Sequence, residues 1–300
     1  MNIKEQIADL VRDPKTQLPT LPVVLNNIMK VASSETASAS VLADFIGRDQ
    51  AMANKVLRLA NSAYFRSSRQ VDSIMRAIVV IGFNEIVSLT IGMGVFSSLS
   101  RSNLHGLLDM NGLWLHAIGC SFAARRLLRR LLARHAGTRR AFEKNAFREE
   151  QLFLSALLHD VGKVIFAVYF PEEYQKVLRE TARAQVPLYQ KERELLGLDH
   201  ARIAGMIMDR WNFPESISLP CTYHHSPTAC HEPHQTGAMV VQLASFICHI
   251  AQIGHSGNPK AAFSIAVRDG LALTTDDIKT EIESLKAQRT AVEEFLAAIR

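Results

Sequence analysis

No stretch of this chain alternates apolar and polar residues with period two for long enough to make a strand, while helix starts and stops recur along it. Asp72 precedes SIMRAIVVIG, and Asn84 precedes EIVSLTIGMGVFSSL. Asp199 precedes HARIAGMIMDRW, and Thr274-Thr275 precede the run DDIKTEIESLKAQRTAVEEFLAAI. Each of these side chains can accept a hydrogen bond from a free first-turn N–H. The stops are Gly47, Gly82, Gly197 and, after the Trp211 helix, Pro214, where the backbone turns left-handed or loses its donor. With 48% apolar residues in 300, the core must form between helices, so the expected fold class is all-α.

Punctuation divides this helical chain. An N-terminal helix is expected over residues 1–15. The run Thr16-Gln17-Leu18-Pro19-Thr20-Leu21-Pro22 is a stiff extended entry to a helical subdomain spanning 16–108. The polar stretch Ser100–Asp109 separates it from a second helical subdomain, 109–255, and His255-Ser256-Gly257-Asn258-Pro259 sets off a C-terminal helical extension, 256–300. Two apolar stretches invite comparison with membrane spans. Ala77–Ser100 is interrupted by Gly82 and Asn84, and Gln235–Pro259 carries Gln242, Ser245, His249 and Gln252 as one polar stripe. A bilayer penalises such a stripe, so both read as core helices and no membrane partner is expected. The four cysteines, Cys120, Cys221, Cys230 and Cys248, are too sparse for a disulfide scaffold. With the charged and apolar N-terminus Met1–Arg12 they point to a cytoplasmic setting.

The net charge of +5 permits an acidic partner without demanding one. The basic residues concentrate between Arg125 and Arg148, where Arg125 and Arg129, and Arg126 and Arg130, stand four apart on a helical face. That face is either a solvated helix end or a surface for an acidic partner. No aromatic residue stands between Arg125 and Arg130 on that face, which argues against nucleic acid.

The chemistry lies in the histidines. Residues 152–163 form an apolar helix that ends in His159-Asp160, followed by Gly162-Lys163. An adjacent imidazole and carboxylate at a helix end can touch one ion, and the donor pair suits Fe, Mn or Zn better than Ca. Further imidazoles stand at His116, His200 and the doublet His224-His225. Cys221-x-x-His224-His225…Cys230-His231-x-x-His234 is a competing arrangement for tetrahedral zinc, at a spacing that matches no common finger.

The His159-Asp160 run resembles the HD superfamily of metal-dependent phosphohydrolases. Four stretches of the N-terminal half resemble the HDOD (HD-related output) domain: Leu18–Pro22 as LPTLP, Leu42–Asp49 as LADFIGRD, Lys55–Tyr64 as KVLRLANSAY, and Ile74–Gly82 as IMRAIVVIG. The resemblance covers about residues 16–255 and implies an N-terminal helical bundle packed on an HD-like helical bundle, in a bacterial signalling protein. It also implies metal-ligand positions at His116, His159, Asp160, His200, His224 and His225, with Lys163 as a candidate catalytic residue. Two departures bear on activity: Ser245 stands where hydrolysing relatives carry a late aspartate, and Ser226-Pro227 follows the doublet in place of a Glu and a Gly-Tyr-Pro run. A dinuclear centre must neutralise two dications, and Asp160 is the only anion in the matched set. The resemblance therefore implies a non-catalytic binding or output module with a degenerate metal site and weak or no divalent metal. The other reading it leaves open is a phosphodiesterase acting on a nucleotide or cyclic dinucleotide. The expected partners are another signalling protein and a nucleotide ligand. Asn61, Ser62 and Tyr64 are expected to be structural.

Overall fold

The computed structural model describes residues 3–12, 23–32, 38–62, 64–65, 70–99, 106–134 and 148–300. Thr16–Pro22 lies outside them, as do most of the 100–109 break and Arg139, Arg140 and Lys144 of the basic run. Among the described residues the regular structure is helical, without a strand. The chain divides into two units, Met1–Leu18 with Asn103–Arg289, and Pro19–Ser102 with Thr290–Arg300. The division near residue 102 falls inside the polar break read from the sequence. Residues 256–300 do not stay together as one extension, because Thr290–Arg300 groups with the N-terminal half.

The elements in chain order are α1 Ile3–Arg12, α2 Val23–Ala32, α3 Ala39–Gly47, α4 Gln50–Ala60, α5 Ile74–Ile81, α6 Phe83–Leu99, α7 Met110–Arg134, α8 Glu149–Leu158 and α9 Val161–Tyr169. They continue with α10 Pro171–Ala184, α11 Leu188–Leu195, α12 His200–Arg210, α13 Glu215–Tyr223, α14 Gln235–Ile250, α15 Ile265–Gly270, α16 Thr275–Ala287 and α17 Arg289–Ile299.

In the smaller unit, local chemistry sets the helix ends. Ser38 and Asp49 accept from Val41 and Met52 N–H and so cap α3 and α4. The cap of α5 is Ser73 rather than Asp72, with its hydroxyl 3.3 Å from Arg76 N. Gly82, at φ 102°, ends α5, and the chain bends 114° into α6. The apolar stretch 77–100 is therefore two helices, and α6 begins at Phe83, with Asn84 inside it. Asn61 joins the end of α4 to Val71 by donating to Leu57 O and Val71 O, each at 2.8 Å, and accepting from Val71 N at 2.8 Å. Ser62 Oγ donates to Leu59 O at 2.7 Å, and the Tyr64 ring meets Phe65 and Phe295 edge-on. All three hold backbone or core, as expected.

In the larger unit, α7 packs along both α8 and α14, and α13 packs against α8, α12 and α14. The segment Glu149–Tyr169 is apolar and long enough to cross a bilayer, with 89% of that window buried inside the protein. Asp199 caps α12 by accepting from Arg202 N–H. Thr274 and Asp277 cap α16 reciprocally. Gly162 lets α9 approach α12: a Cβ there would lie 2.0 Å from the His200 carbonyl oxygen.

Candidate metal centre

Five helix segments of the larger unit converge on Asp160. His116 and Cys120 stand one turn apart on α7 and so share a face. His159 ends α8, and Asp160 opens α9, where the positive end of the helix dipole favours a carboxylate. His200 opens α12, His224 ends α13 with His225 following, and Ser245 projects from α14.

Asp160 is 3% exposed. Its Oδ1 lies 3.1 Å from His200 Nε2, and its Oδ2 lies 3.4 Å from His159 Nε2, 4.0 Å from His116 Nε2 and 2.7 Å from Lys163 Nζ. Burial pushes the carboxyl pKa up, but the neighbouring His159 and Lys163, together with His200 and its hydrogen bond, outweigh it and hold the group well below the usual carboxylate range. Lys163 Nζ also donates to Ser256 O at 3.0 Å. It is therefore a buried counter-charge to Asp160.

His159 and His224 are positioned alike. His159 Nδ1 donates to Ala156 O and His224 Nδ1 to Cys221 O, each at 2.7 Å. A carbonyl only accepts, so in both rings Nδ1 carries the proton and Nε2 presents a lone pair. Burial keeps both neutral: His159 is pushed down to about 4, and His224 well below the ordinary histidine value. Both Nε2 atoms are buried with no hydrogen-bond partner, an arrangement that costs free energy unless something takes the lone pair. These nitrogens and an Asp160 oxygen all lie within 4.8 Å of one another. The residues fit a divalent ion held by His159, Asp160 and His224.

His200 is different. Its Nδ1 donates to Glu192 Oε2 at 2.6 Å. Burial lowers its pKa, but the Glu192 charge and the bonds to Asp160 and Glu192 raise it to about 9. His225 Nε2 sits 2.9 Å from His200 Nε2, and its ring stacks on Tyr189. His200, His224 and His225 form a second group of close nitrogens. Ser245 Oγ is 3.3 Å from His116 Nε2, so the position matched to the late aspartate does face the centre. A narrow cleft with only about 20 Å³ of water-accessible space reaches it, lined by His116, Tyr189, His225, Ser245, His249 and Ser256 among others.

The arginines of the basic face are paired within the chain, although Arg129 keeps 64% of its side chain exposed. Arg125 and Arg129 bind Glu149 at 3.1 and 2.6 Å, and Arg126 and Arg130 bind Glu281 at 2.9 and 2.7 Å. The Cys–His zinc arrangement does not assemble: Cys221 Sγ donates to Ser155 O, Cys230 Sγ points to His231 O, and neither joins a ligand group among the described residues. The sequence reading missed Glu192, which lies in a charged run with no sign of burial. It also missed Cys120, whose spacing of four from His116 was the available signal.

Residues 18–227 match the HDOD domain family. An uncharacterized protein of Treponema pallidum is 23% identical over 239 residues, 80% of this chain and 43% of its own length. The uncharacterized protein YuxH of Bacillus subtilis is 30% identical over 105 residues, 34% of this chain and 25% of its own length. The chain thus spans less than half the length of these curated relatives. Among solved structures, an HDOD domain protein of unknown function from Geobacter sulfurreducens superposes with a TM-score of 0.75 at 22% identity, covering 98% of this chain and 97% of that one. A candidate phosphohydrolase from Shewanella amazonensis gives 0.74 at 19% identity, covering 98% of each chain. At these identities the likeness concerns the fold.

Proposed function

Since the chain belongs to the HDOD domain family, we propose that it is a regulatory module of signal transduction whose metal centre binds a single divalent ion and does not turn over phosphate esters. The observation that carries this reading is Ser245, whose hydroxyl faces His116 at 3.3 Å where the hydrolysing relatives place a carboxylate. Asp160 is then the sole anion among the matched ligands, and Lys163 already neutralises much of its charge at 2.7 Å. One dication can be coordinated there by Asp160 and neutral imidazoles, but the set has no anion left for a second.

His159, Asp160 and His224 would hold the ion, which would supply Lewis-acid attraction for an anionic oxygen. Tyr189 and His225, stacked with ring centroids 4.2 Å apart, offer an aromatic wall at the cleft beside it. That combination suits the phosphate and base of a nucleotide ligand. A partner signalling protein is supported by Met75, Val79 and Val80 of α5, which leave apolar surface exposed, Val79 at 77%.

A second reading, a phosphodiesterase acting on a nucleotide or cyclic dinucleotide, draws support from the convergence of five histidines on one aspartate. Metal analysis of purified protein combined with a hydrolysis assay separates the two. A single ion per chain with no release of linear product from a cyclic dinucleotide is expected. Turnover above about 1 s⁻¹, the low end for ordinary enzymes, would establish the second reading instead.

A further inference from the structure

Besides the carboxylate group and the His200–His224–His225 group, the centre contains a third set of ligand atoms, which shares His159 with the first. His116 Nε2, Cys120 Sγ and His159 Nε2 all lie within 4.8 Å of one another, and Cys120 Sγ is 3.3 Å from His116 Nε2. Tetrahedral zinc, with Zn–N near 2.0 Å and Zn–S near 2.3 Å, sets nitrogen and sulfur ligands about 3.5 Å apart. The three residues are 2%, 0% and 0% exposed, and the His159 Nε2 lone pair aimed among them has no partner.

We propose that Cys120 supplies the anion that Ser245 does not, so that His116, Cys120 and His159 form a thiolate site for a soft or borderline divalent ion such as Zn(II). This deepens the reading of the same centre as a single-ion site. His159 Nε2 has one lone pair, so the thiolate group and the His159–Asp160–His224 group cannot both be filled. Ligand softness decides between them: Mn(II) takes the carboxylate group, and Zn(II) or Co(II) takes the thiolate group. The ion enters by the cleft, which His116 lines. On binding, the Cys120 S–H bond breaks, a sulfur–metal bond forms, and the proton passes to solvent, one for each ion bound.

The test uses the full chain, stripped of metal and titrated with Co(II), Zn(II) and Mn(II). Co(II) is expected to produce the near-ultraviolet thiolate-to-cobalt charge-transfer band. Cys120→Ser is expected to lose that band and to weaken Zn(II) binding by about 100-fold or more, beyond the cost of losing an outer-shell partner. Its Mn(II) binding should be unchanged. In the variant Cys221→Ser/Cys230→Ser/Cys248→Ser, Cys120 is the only thiol left, and the band should persist. This variant decides the question if Cys120→Ser does not fold. If the wild type shows no band, if Cys120→Ser keeps it, or if the triple variant loses it, the thiolate site is wrong, while Mn(II) binding would still support the single-ion module. A cobalt band without Mn(II) binding would instead remove the carboxylate site and leave the thiolate site standing.

Discussion

Glu192→Gln tests the electrostatics behind the centre. Glu192 is fully buried. Its Oε2 accepts from His200 N at 2.9 Å and His200 Nδ1 at 2.6 Å, and its Oε1 accepts from Tyr174 OH at 3.1 Å. Glutamine keeps the shape, its oxygen can accept from His200, and the tyrosine hydroxyl can turn to accept from the amide. The substitution therefore removes charge and little else. Burial lowers the His200 pKa, but Glu192 and Asp160 raise it from 6.5 to about 9. A group whose pKa is raised on folding contributes stability that is full below its unfolded pKa and is lost as pH rises through the folded one. The shift corresponds to about 3 kcal/mol. Without the Glu192 charge, burial regains the upper hand and His200 goes neutral. E192Q should be less stable than wild type by about 3 kcal/mol below pH 6.5, with the gap closing as pH rises through 9. Urea denaturation of both proteins in chelator across this range measures the gap, and taking the difference cancels titrations common to the two. A gap that stays constant or widens with pH would refute the assignment of His200 as a buried imidazolium held by Glu192.

Three further outcomes follow from the geometry. Ser245→Asp should make the metal-free protein less stable, through repulsion with Asp160, and more strongly stabilised by Mn(II) than wild type; equal Mn(II)-induced shifts in thermal unfolding would place Ser245 off the ligand set. Gly162→Ala would put a Cβ 2.0 Å from the His200 carbonyl oxygen and 2.7 Å from Ile203 Cγ2. It should cost about 2–3 kcal/mol in denaturant unfolding, as overpacking against backbone does, and a neutral result would contradict the α9–α12 approach. Glu281→Ala leaves Arg126 and Arg130, with side chains 32% and 26% exposed, without their shared partner. It should cost about 2 kcal/mol, less than a fully buried pair because water reaches both arginines; an unchanged urea midpoint would show the pair to be idle.

Fold class and most helix ends were legible in the sequence because their signals are local, although Ser73 rather than Asp72 caps α5 and Asn84 lies inside α6. Periodicity is read within two turns, and a cap such as Asp199 acts on an N–H three residues away. Gly82 broke an apolar stretch where the period alone would have run on. The histidines and Asp160 were recognisable by type and by resemblance, and so was Ser245 as a departure. What no local signal contained was which side chain faces which across helices. Arg130 looked like a solvated charge until α16 brought Glu281 and Asp277 to it from about 150 positions away. Cys221 and Cys230 looked like ligands until packing turned their sulfurs toward carbonyls. Glu192 looked like surface in a charged run, yet it is wholly buried and sets the charge of His200. Burial and charge pairing depend on the packing of whole helices, where desolvation and Coulomb terms of several kcal/mol decide the outcome, so only the tertiary structure could settle them.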